Sequence, residues 1–286
     1  MKIAIIGASS FVGKNLILLL IKKKIEVIAT YNKSKEKLIK SKFIKWKKLD
    51  ISLNKINHYK FLGNPDVVIN LAWRDIPNYL SKSHLKTYVF QKRFNKNLIK
   101  NGLQNLIVLG TCYEYGNVKG KISENFNCRP TIPYSVAKLK LLKSILILKK
   151  KYEFKFTWLR PFFVYGFNDK RKTLYSIIKE IDKGKKIKIN VCGKLIRDFL
   201  SVNYLVNIII KILKLNKDIG ILNVCSGKKT TIKNFIKKNL RNKNKINDIN
   251  MNAKNPNFFE PKFFWGSTRK LKKILKSKNE KKKLFN

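Results

Sequence analysis

The stretch that decides the fold is IAIIGASSFVG, residues 3–13. Four apolar residues lead into Gly7, and a second glycine, Gly13, follows six residues later. This pattern predicts a buried strand, a tight turn and the start of a helix, an arrangement that binds the pyrophosphate of a dinucleotide. Ser10 stands where such a fingerprint usually has its middle glycine, so the motif alone is equally typical of a plain strand–helix turn.

The rest of the chain alternates strand-like and helix-like segments. Short, nearly continuous apolar runs between helical patterns are typical of a parallel sheet covered on both faces. The predicted strands are KIAIIG (2–7), IEVIATY (25–31), FIKWKKLDI (43–51), PDVVINLAW (65–73), LQNLIVLGT (103–111) and FKFTWLRP (154–161), and the predicted helices are 11–23, 84–101 and 134–151. The predicted fold class is α/β, a doubly wound parallel sheet of the Rossmann type.

A smaller second lobe is predicted after residue 161, where the spacing of the elements loosens. Its predicted elements are a helix at 174–183, a strand at 186–193, a helix at 204–215 and a strand at 220–227. We therefore expect residues 1–160 to form a Rossmann NAD(P)-binding domain, joined by elements from about 195–225. Residues 161–286 are expected to form mainly a C-terminal substrate-binding lobe.

The charge of the chain first suggests a nucleic-acid partner. The 286 residues carry 65 Lys and Arg against 16 Asp and Glu, a formal net charge of +49. Only eight of the basic residues are arginine, and the lysines are spread along the whole chain. Nucleic-acid readers concentrate arginine and aromatic side chains in one patch. The charge therefore indicates a compositional bias at solvated positions, and no specific nucleic-acid partner is expected.

The cysteines favour a reduced protein. The four of them (Cys112, Cys128, Cys192 and Cys225) form no CxxC pair, and two histidines complete no zinc set, so no metal is expected. A cytoplasmic location is the expectation. No stretch is long enough to span a membrane. LILLLIKKK (16–24) lacks the basic start and the small-residue cleavage site of a signal peptide.

The segment after the second strand bears on the choice of cofactor. NAD sites usually place an acid there for the ribose 2′-hydroxyl, but ATYNKSK (29–35) offers Asn32, Lys33 and Ser34. This cluster suits a 2′-phosphate, so NADP(H) is favoured and NAD(H) stays possible. Asp50, at the end of the third strand, suits either the adenine amino group or a cap on the following segment.

Catalytic candidates come from two further motifs. In YSVAK (134–138), Tyr134 and Lys138 share one face of a helix. A nearby ammonium and an oxidised nicotinamide favour the phenolate, so Tyr134 is suited to move a proton while hydride moves at the neighbouring carbon. Thr111 follows the fifth strand, where its hydroxyl suits either the same substrate oxygen or a cap of the strand end.

These motifs together resemble the extended short-chain dehydrogenase/reductases, the NAD-dependent epimerase/dehydratase family. GASSFVG, LDI, NLAW, GTCYEYG, YSVAK, WLRPFFVYG and RDFLSV occur in the order and approximate spacing of that family, from about residue 3 to at least residue 227. GTCYEYG resembles the branch with CDP-abequose synthase-like and dTDP-6-deoxytalose dehydrogenase-like enzymes, which reduce 4-keto sugars with NADPH.

The resemblance implies a nucleotide-diphosphate sugar as substrate and a homodimer formed through the helices at 84–101 and 134–151. The catalytic residues that it implies are Thr111, Tyr134 and Lys138. The expected cofactor-binding residues are Gly7, Ser9, Ser10, Phe11, Val12, Gly13, Asn32, Lys33, Asp50, Ile51, Leu71, Ala72, Trp73 and Lys138. The expected substrate-binding residues are Tyr113 and Arg197, and Arg197 matches a position that often meets the sugar-nucleotide phosphates.

The departures from the family narrow the chemistry. Cys112 and Tyr113 stand where the 4,6-dehydratases carry an Asp-Glu pair, so elimination of water is not expected. The cysteine with which GDP-fucose synthase-like enzymes epimerise falls at Tyr113, so that reaction is not supported either. SVNY (201–204) replaces a common His-Val-Asp-Asp.

Three hypotheses follow. The first is an NADPH-dependent 4-ketoreductase of a nucleotide-activated 6-deoxyhexose. The second is a 4-epimerase that keeps NAD bound and oxidises, then reduces, the same carbon. The third is a dinucleotide-binding protein with a decayed active site, prompted by Ser10.

Overall fold

The computed structural model describes residues 1–32, 38–53, 56–167, 169–171, 173–187, 189–252 and 261–275. Its strands are β1 (Ile3–Ile6), β2 (Val27–Tyr31), β3 (Ile44–Lys48), β4 (Val67–Asn70), β5 (Asn105–Leu109), β6 (Gly120–Ile122), β7 (Lys155–Pro161), β8 (Phe163–Tyr165), β9 (Ile189–Asn190), β10 (Ile196–Arg197), β11 (Phe199–Ser201), β12 (Gly220–Val224), β13 (Thr230–Thr231), β14 (Ile249–Asn250) and β15 (Phe264–Gly266). Its α-helices are α1 (Phe11–Lys22), α2 (His58–Phe61), α3 (Ser83–Lys100), α4 (Pro133–Lys151), α5 (Leu174–Asp182), α6 (Val202–Leu215), α7 (Ile232–Asn239) and α8 (Arg269–Leu275), and 3-10 helices lie at Cys112–Tyr115 and Lys243–Asp248.

A seven-stranded parallel sheet forms the centre of the protein, with its strands in the order β12-β7-β5-β4-β1-β2-β3. Every residue of β1 and of β4 is buried. Such strands read as unbroken apolar runs because helices cover both faces of the sheet. The predicted fold class is confirmed.

Helices pack on both faces of this sheet and divide the core into two large clusters. On one face, α1, α6 and α8 bury Leu16, Ile209 and Leu271 against the strands. On the other face, α3 and α4 bury Phe94, Leu98 and further apolar side chains. The sheet therefore lies between two helical layers, and its carboxyl edge is left open for a ligand.

The chain returns to this sheet after it has left it. Strand β12 pairs with the edge strand β7, and α6 packs against α1. Helix α8 contacts β12. Segments that follow residue 161 are thus part of the central layers. The division into an NAD(P)-binding domain and a substrate lobe stays a prediction.

Short paired strands and two helices build the remaining part of the protein. The pairs are β8 with β11, β9 with β14, β10 with β13 and β6 with β15. A separate apolar cluster holds α5 and α7 together and includes Ile178, Ile181, Phe235 and Ile236. This part lies beside the carboxyl edge of the sheet, because β8 follows β7 with one residue between them.

One buried carboxylate ties the short strands to the end of β12. Asp198 is fully buried between β10 and β11, and burial raises the pKa of this carboxyl against four hydrogen bonds that lower it. Its oxygens accept from Ser226, through both N–H and hydroxyl, from Gly227 N–H at 2.9 Å and from Gly266 N–H at 3.1 Å. A single side chain therefore joins three separate segments of the chain.

The secondary-structure predictions fail mainly beyond residue 161. The predicted strand 186–193 contains only the two-residue strand β9, which pairs with β14. Strands β8, β11 and β15 and helices α7 and α8 were not predicted. Helix α6 begins at Val202, two residues before its predicted start, because the Ser201 hydroxyl caps it by accepting from Tyr204 N–H.

Across the described ranges, no helix combines the length and the apolar character that crossing a membrane requires.

Candidate active site

The turn after β1 brings two backbone segments into unusually close contact. Gly7 has a φ of +77°, and a Cβ built on it would lie 2.8 Å from the Cα of Ala72. A Cβ on Gly13 would lie 2.5 Å from the carbonyl oxygen of Gly7. Both positions therefore require glycine, the first for its φ and the second for the packing of α1 against the turn. The backbone makes a cradle of the kind that a dinucleotide pyrophosphate needs, so these residues fit the cofactor.

Ser10 has a structural role in the same turn. It is the N-cap of α1, and its hydroxyl oxygen accepts from Gly13 N–H at 3.2 Å. The serine therefore satisfies one of the N–H groups that a helix start leaves without an intrahelical partner. Its hydroxyl hydrogen stays available to a phosphate oxygen, because the capping bond uses the oxygen only as acceptor.

Other predicted cofactor residues follow neighbouring strands at the same edge. Leu71 follows β4 and donates its N–H to Ile6 at 2.9 Å. Asn32 follows β2, and Asp50 and Ile51 follow β3. Lys33 lies outside the described residues. The parallel sheet thus brings most of the predicted cofactor set to one edge.

Asp50 fits the capping alternative and also forms an ion pair. Its Oδ1 accepts from the N–H and hydroxyl of Ser52 and lies 3.1 Å from an Arg74 Nη. Burial acts to raise the pKa of Asp50, but the Ser52 hydrogen bonds and the Arg74 charge outweigh it, so the pKa is lowered. An adenine contact of Asp50 stays a prediction.

The three predicted catalytic residues lie together at the end of β5. Thr111 is the N-cap of the 3-10 helix that follows β5, and its side chain lies near enough to the Tyr134 hydroxyl to act on the pKa of that phenol. Tyr134 and Lys138 lie one turn apart on α4, and both are buried. The Lys138 ammonium nitrogen donates to the Leu109 carbonyl at 2.6 Å. Leu109 is the last residue of β5.

Burial strongly changes the acid–base properties of this group. It raises the pKa of Tyr134, and the neighbouring Tyr79 raises it further, whereas the Thr111 hydrogen bond lowers it. Burial also lowers the pKa of Lys138 to about 7. Two side chains on one helix whose pKa values are moved in opposite directions by burial are typical of a proton-transfer site.

Aromatic rings surround Tyr134. The ring centroids of Tyr79, His84 and Trp73 lie 5.3, 5.2 and 6.0 Å from its own. The Trp73 ring also covers Lys138, whose ammonium lies 3.9 Å from the ring centroid. The cage explains the burial of both groups and gives the ammonium a favourable partner other than water.

His84 holds this cage in place. Its Nδ1 accepts from the Trp73 indole N–H at 3.1 Å, so its Nε2 carries the hydrogen that is donated to the Asn78 carbonyl at 2.8 Å. Burial lowers the pKa of His84, which keeps the ring neutral. The imidazole therefore connects Trp73 to the loop that carries Tyr79.

A cleft of about 530 Å³ opens in front of these residues. Predicted site residues that line it are Ser10, Phe11, Val12, Leu71, Trp73, Thr111, Tyr113, Tyr134 and Arg197. The opposite wall comes from the short-strand part of the protein and includes Tyr165, Tyr175, Phe199 and Phe235. One space thus joins the cofactor turn, the catalytic group and an aromatic wall, as expected of a binding site.

Arg197 lies in the cleft wall but is largely committed to backbone groups. It is buried, its Nη1 donates to the carbonyls of Ile196 and Pro261, and its guanidinium lies 5.3 Å from the Phe163 ring centroid. Tyr113 packs between Tyr79 and Phe163. Contacts of Arg197 and Tyr113 with a substrate stay predictions.

The sequence analysis missed several residues of this site. Tyr79 and His84 belong to a region that carries no motif and reaches Tyr134 only in the folded chain. Glu114 is fully buried next to Thr111 and was also missed. An acid inside the aromatic run GTCYEYG, in a chain with few acids, was the available signal.

A glycine cradle beside a buried Thr–Tyr–Lys group fits a dinucleotide-binding oxidoreductase. The family model described as "NAD dependent epimerase/dehydratase family" matches residues 3–225. The chain belongs to this family and is an enzyme of it.

Named relatives agree with this assignment. The chain is 27% identical over 247 residues to dTDP-6-deoxy-L-talose 4-dehydrogenase (NAD(+)) of Aggregatibacter actinomycetemcomitans, covering 84% of this chain and 91% of that protein. It is 28% identical over 226 residues to an uncharacterised UDP-glucose epimerase of Bacillus subtilis, covering 71% and 69%. The structure of UDP-glucuronic acid 4-epimerase from Bacillus cereus, with UDP-glucuronic acid and NAD, has the same fold (TM-score 0.77, 22% identity, 96% of this chain and 93% of that chain).

The pKa of Lys138 predicts a pH-dependent cost of folding. The folded pKa of about 7 lies below the ordinary lysine value of 10.5, so the unfolded chain binds more protons between these limits. The free energy of unfolding of the cofactor-free protein therefore rises with pH across this window. Relative to Lys138→Met, the wild type should gain on the order of 4 kcal/mol between pH 6 and pH 10, measured by urea denaturation.

Lys140→Met is the matched control, because Lys140 lies exposed on the same helix. Its difference from the wild type should not change with pH. A constant difference for Lys138→Met as well would contradict the lowered pKa.

Proposed function

We propose that the protein reduces the C4 keto group of a nucleotide-activated 6-deoxyhexose. The observation that carries this proposal is the burial of Thr111 and Tyr134 beside Lys138 at the end of a glycine cradle, with the Thr111 side chain near enough to act on the pKa of the Tyr134 phenol. The relative from Aggregatibacter is named as a 4-dehydrogenase of a dTDP-6-deoxyhexose. This name supports a 6-deoxyhexose as the sugar and C4 as the carbon that is reduced.

The chain's own residues supply the proton and the orientation. When bound, the nicotinamide supplies the hydride. Tyr134 gives its phenolic proton to the C4 oxygen, and Thr111 holds that oxygen through its hydroxyl. The Lys138 ammonium stabilises the phenolate that results, and it is the group that would hold the nicotinamide ribose. The aromatic cage excludes water, which strengthens each of these interactions.

A dehydratase is disfavoured by the residues after Thr111. Cys112 is buried, and burial raises the pKa of its thiol, so it is no base at neutral pH. The Tyr113 ring packs against aromatic neighbours. Neither residue offers the acid–base pair that the elimination of water needs.

The second candidate is a 4-epimerase. It is favoured by the relative from Bacillus subtilis, which is named as a UDP-glucose epimerase. The same Thr–Tyr–Lys group serves both reactions, so it does not separate them. Release of the oxidised cofactor does, because a reductase must exchange its dinucleotide in every turnover.

The Tyr134→Phe variant tests the proposed reaction. Without the phenolic hydrogen no acid faces the C4 oxygen, so turnover of a dTDP-4-keto-6-deoxyhexose should fall at least about 100-fold. The dissociation constant for the reduced cofactor, measured by fluorescence titration, should change less than about twofold.

Tyr152→Phe, at the other end of α4, is the control and should keep full turnover. Full turnover by Tyr134→Phe would remove its assigned role. Tightly bound NAD in the purified wild type, with interconversion of sugar epimers, would favour the 4-epimerase. Cofactor binding without turnover of any nucleotide sugar would favour a decayed site.

The cofactor preference is a separate proposal. ATYNKSK lacks the acid that recognises the 2′-hydroxyl of NAD, so we propose that NADPH binds more tightly than NADH. The relative from Aggregatibacter is named for NAD(+), the opposite preference. Titration of the protein with both cofactors decides between them.

Lys33→Glu sharpens this titration. Its added negative charge should weaken the binding of NADPH about tenfold and that of NADH much less, since only NADPH carries the 2′-phosphate. The control is Lys140→Glu, at an exposed position of α4. Equal effects of Lys33→Glu on both cofactors would contradict the proposed phosphate contact.

A homodimer is proposed through α3 and α4. Exposed apolar side chains lie on both helices, which pack against each other: Leu85 and Val89 on α3, and Leu146 and Ile147 on α4. Ile147 is 68% exposed, which favours burial in an interface.

The four cysteines are free, as the proposed cytoplasmic location requires.

Ile147→Glu should convert the dimer to a monomer, because a carboxylate at the centre of an apolar interface loses its water. Sedimentation velocity measures the change. Leu18→Glu, an equally drastic change at an exposed position of α1, should leave the dimer intact. A wild type that sediments as a monomer would refute the proposal.

A further inference from the structure

A fully buried carboxylate lies directly behind the catalytic threonine. Glu114 Oε1 accepts from the Thr111 N–H at 2.9 Å and from the Trp158 indole N–H at 3.0 Å. Its Oε2 accepts from Arg160 Nε at 2.8 Å and again from Trp158 at 3.1 Å. All four of these hydrogen bonds are donated to the carboxylate, which suits its ionised form. Burial nevertheless raises the pKa of Glu114, against the lowering effects of the Arg160 charge and these hydrogen bonds.

The surroundings are built closely around this carboxylate. A Cβ on Gly110 would lie 2.2 Å from the Trp158 Nε1 and 2.6 Å from the Glu114 Oε1, so this position requires glycine. Arg160 is also buried and forms the ion pair with Glu114. A buried pair of this kind is weak evidence for stability, because apolar replacements of similar size often fold as well. Its presence beside a reactive group indicates a different role.

A short path leads from Glu114 to the reacting atoms. The carboxylate fixes the N–H of Thr111, whose backbone is extended. The hydroxyl of the same residue accepts from Tyr113 N–H at 3.3 Å, and it lies near enough to Tyr134 to act on the pKa of the phenol. Since the backbone of Thr111 is held from behind, its hydroxyl stays on the side of Tyr134. The carboxylate itself does not line the cleft.

We infer that Glu114 is a positioning residue for the proposed reduction: with Arg160 and Trp158 it fixes Thr111 so that the threonine and tyrosine hydroxyls meet at one substrate oxygen. Glu114 has no contact with substrate in this role. The inference rests on the proposed function for its kinetic consequence, but its structural consequence is measured without a substrate.

The first variant is Glu114→Gln, which keeps the length of the side chain and removes its charge. It leaves Arg160 buried without a counter-ion, which is strongly destabilising in itself, so a failure of this variant to fold does not test the inference. The second variant therefore replaces the pair together, as Glu114→Leu with Arg160→Met, and leaves no uncompensated charge. Glu124→Gln is the control, because Glu124 also accepts a backbone N–H, from Asn223, but lies away from Thr111.

The kinetic result expected of the paired replacement is a fall in kcat of at least about tenfold. The KM for the sugar nucleotide and the affinity for the cofactor should stay within about twofold, since Glu114 touches neither. Glu124→Gln should keep the wild-type values. Unchanged kcat in the folded paired variant would overturn the inference.

A double-mutant cycle with Thr111→Val separates positioning from general structural damage. If Glu114 acts through the Thr111 hydroxyl, the paired replacement should cost less than about twofold more when that hydroxyl is already absent. A further tenfold loss in the Thr111→Val background would show an independent effect and overturn the inference.

Hydrogen–deuterium exchange of the backbone over residues 110–115 gives the readout that needs no substrate. Exchange should be at least about tenfold faster in the paired variant and unchanged in Glu124→Gln. Wild-type protection of Thr111 in the paired variant would overturn the positioning role. If the wild type turns over no nucleotide sugar, the proposed function fails, while the exchange result still decides whether Glu114 fixes Thr111.

Discussion

The close approach of three backbone segments at the carboxyl edge of the sheet is the constraint on which the site depends. Gly7 contacts the loop at Ala72, and Gly13 contacts the turn at Gly7, at distances that exclude a side chain. These contacts fix where α1 starts and where the chain leaves β4. Trp73 follows at once, so the position of the cage over Lys138 depends on the same two glycines.

The central fold was predictable because parallel strands covered on both faces leave a strong pattern. Short segments rich in apolar residues, such as IAII (3–6) and LIVL (106–109), lie between helical segments and indicate the strands of the sheet. The part beyond residue 161 was not predictable in the same way. Strands such as β8 and β11 have three residues each, which is too short for a recognisable period. Their positions depend on pairing and on Asp198, whose four donors come from residues that are distant in the sequence.

The residues of the candidate site also fall into two groups, those that lie in a recognisable local motif and those that do not. Thr111, Tyr134 and Lys138 each belong to a local motif, so the sequence indicated them before any fold was known. His84 and Tyr79 belong to no recognisable sequence motif, because they meet Tyr134 only when α3 and the loop before it pack against α4. Which residues form the aromatic cage is therefore determined by the tertiary fold and not by a local motif. The sequence therefore predicts the reacting groups better than it predicts what surrounds them and changes their pKa values.

The large positive charge of the chain has a different origin from the few charges that matter in the site. Among the described lysines and arginines, Lys138, Arg160 and Arg197 are the buried ones. Each is buried with a defined partner: the Leu109 carbonyl and the Trp73 ring, the Glu114 carboxylate, and the Ile196 and Pro261 carbonyls. A cation in the interior is stable only with such partners, whereas a solvated lysine needs none. Burial therefore distinguishes the cations with defined partners at the candidate site, and the composition of the chain does not.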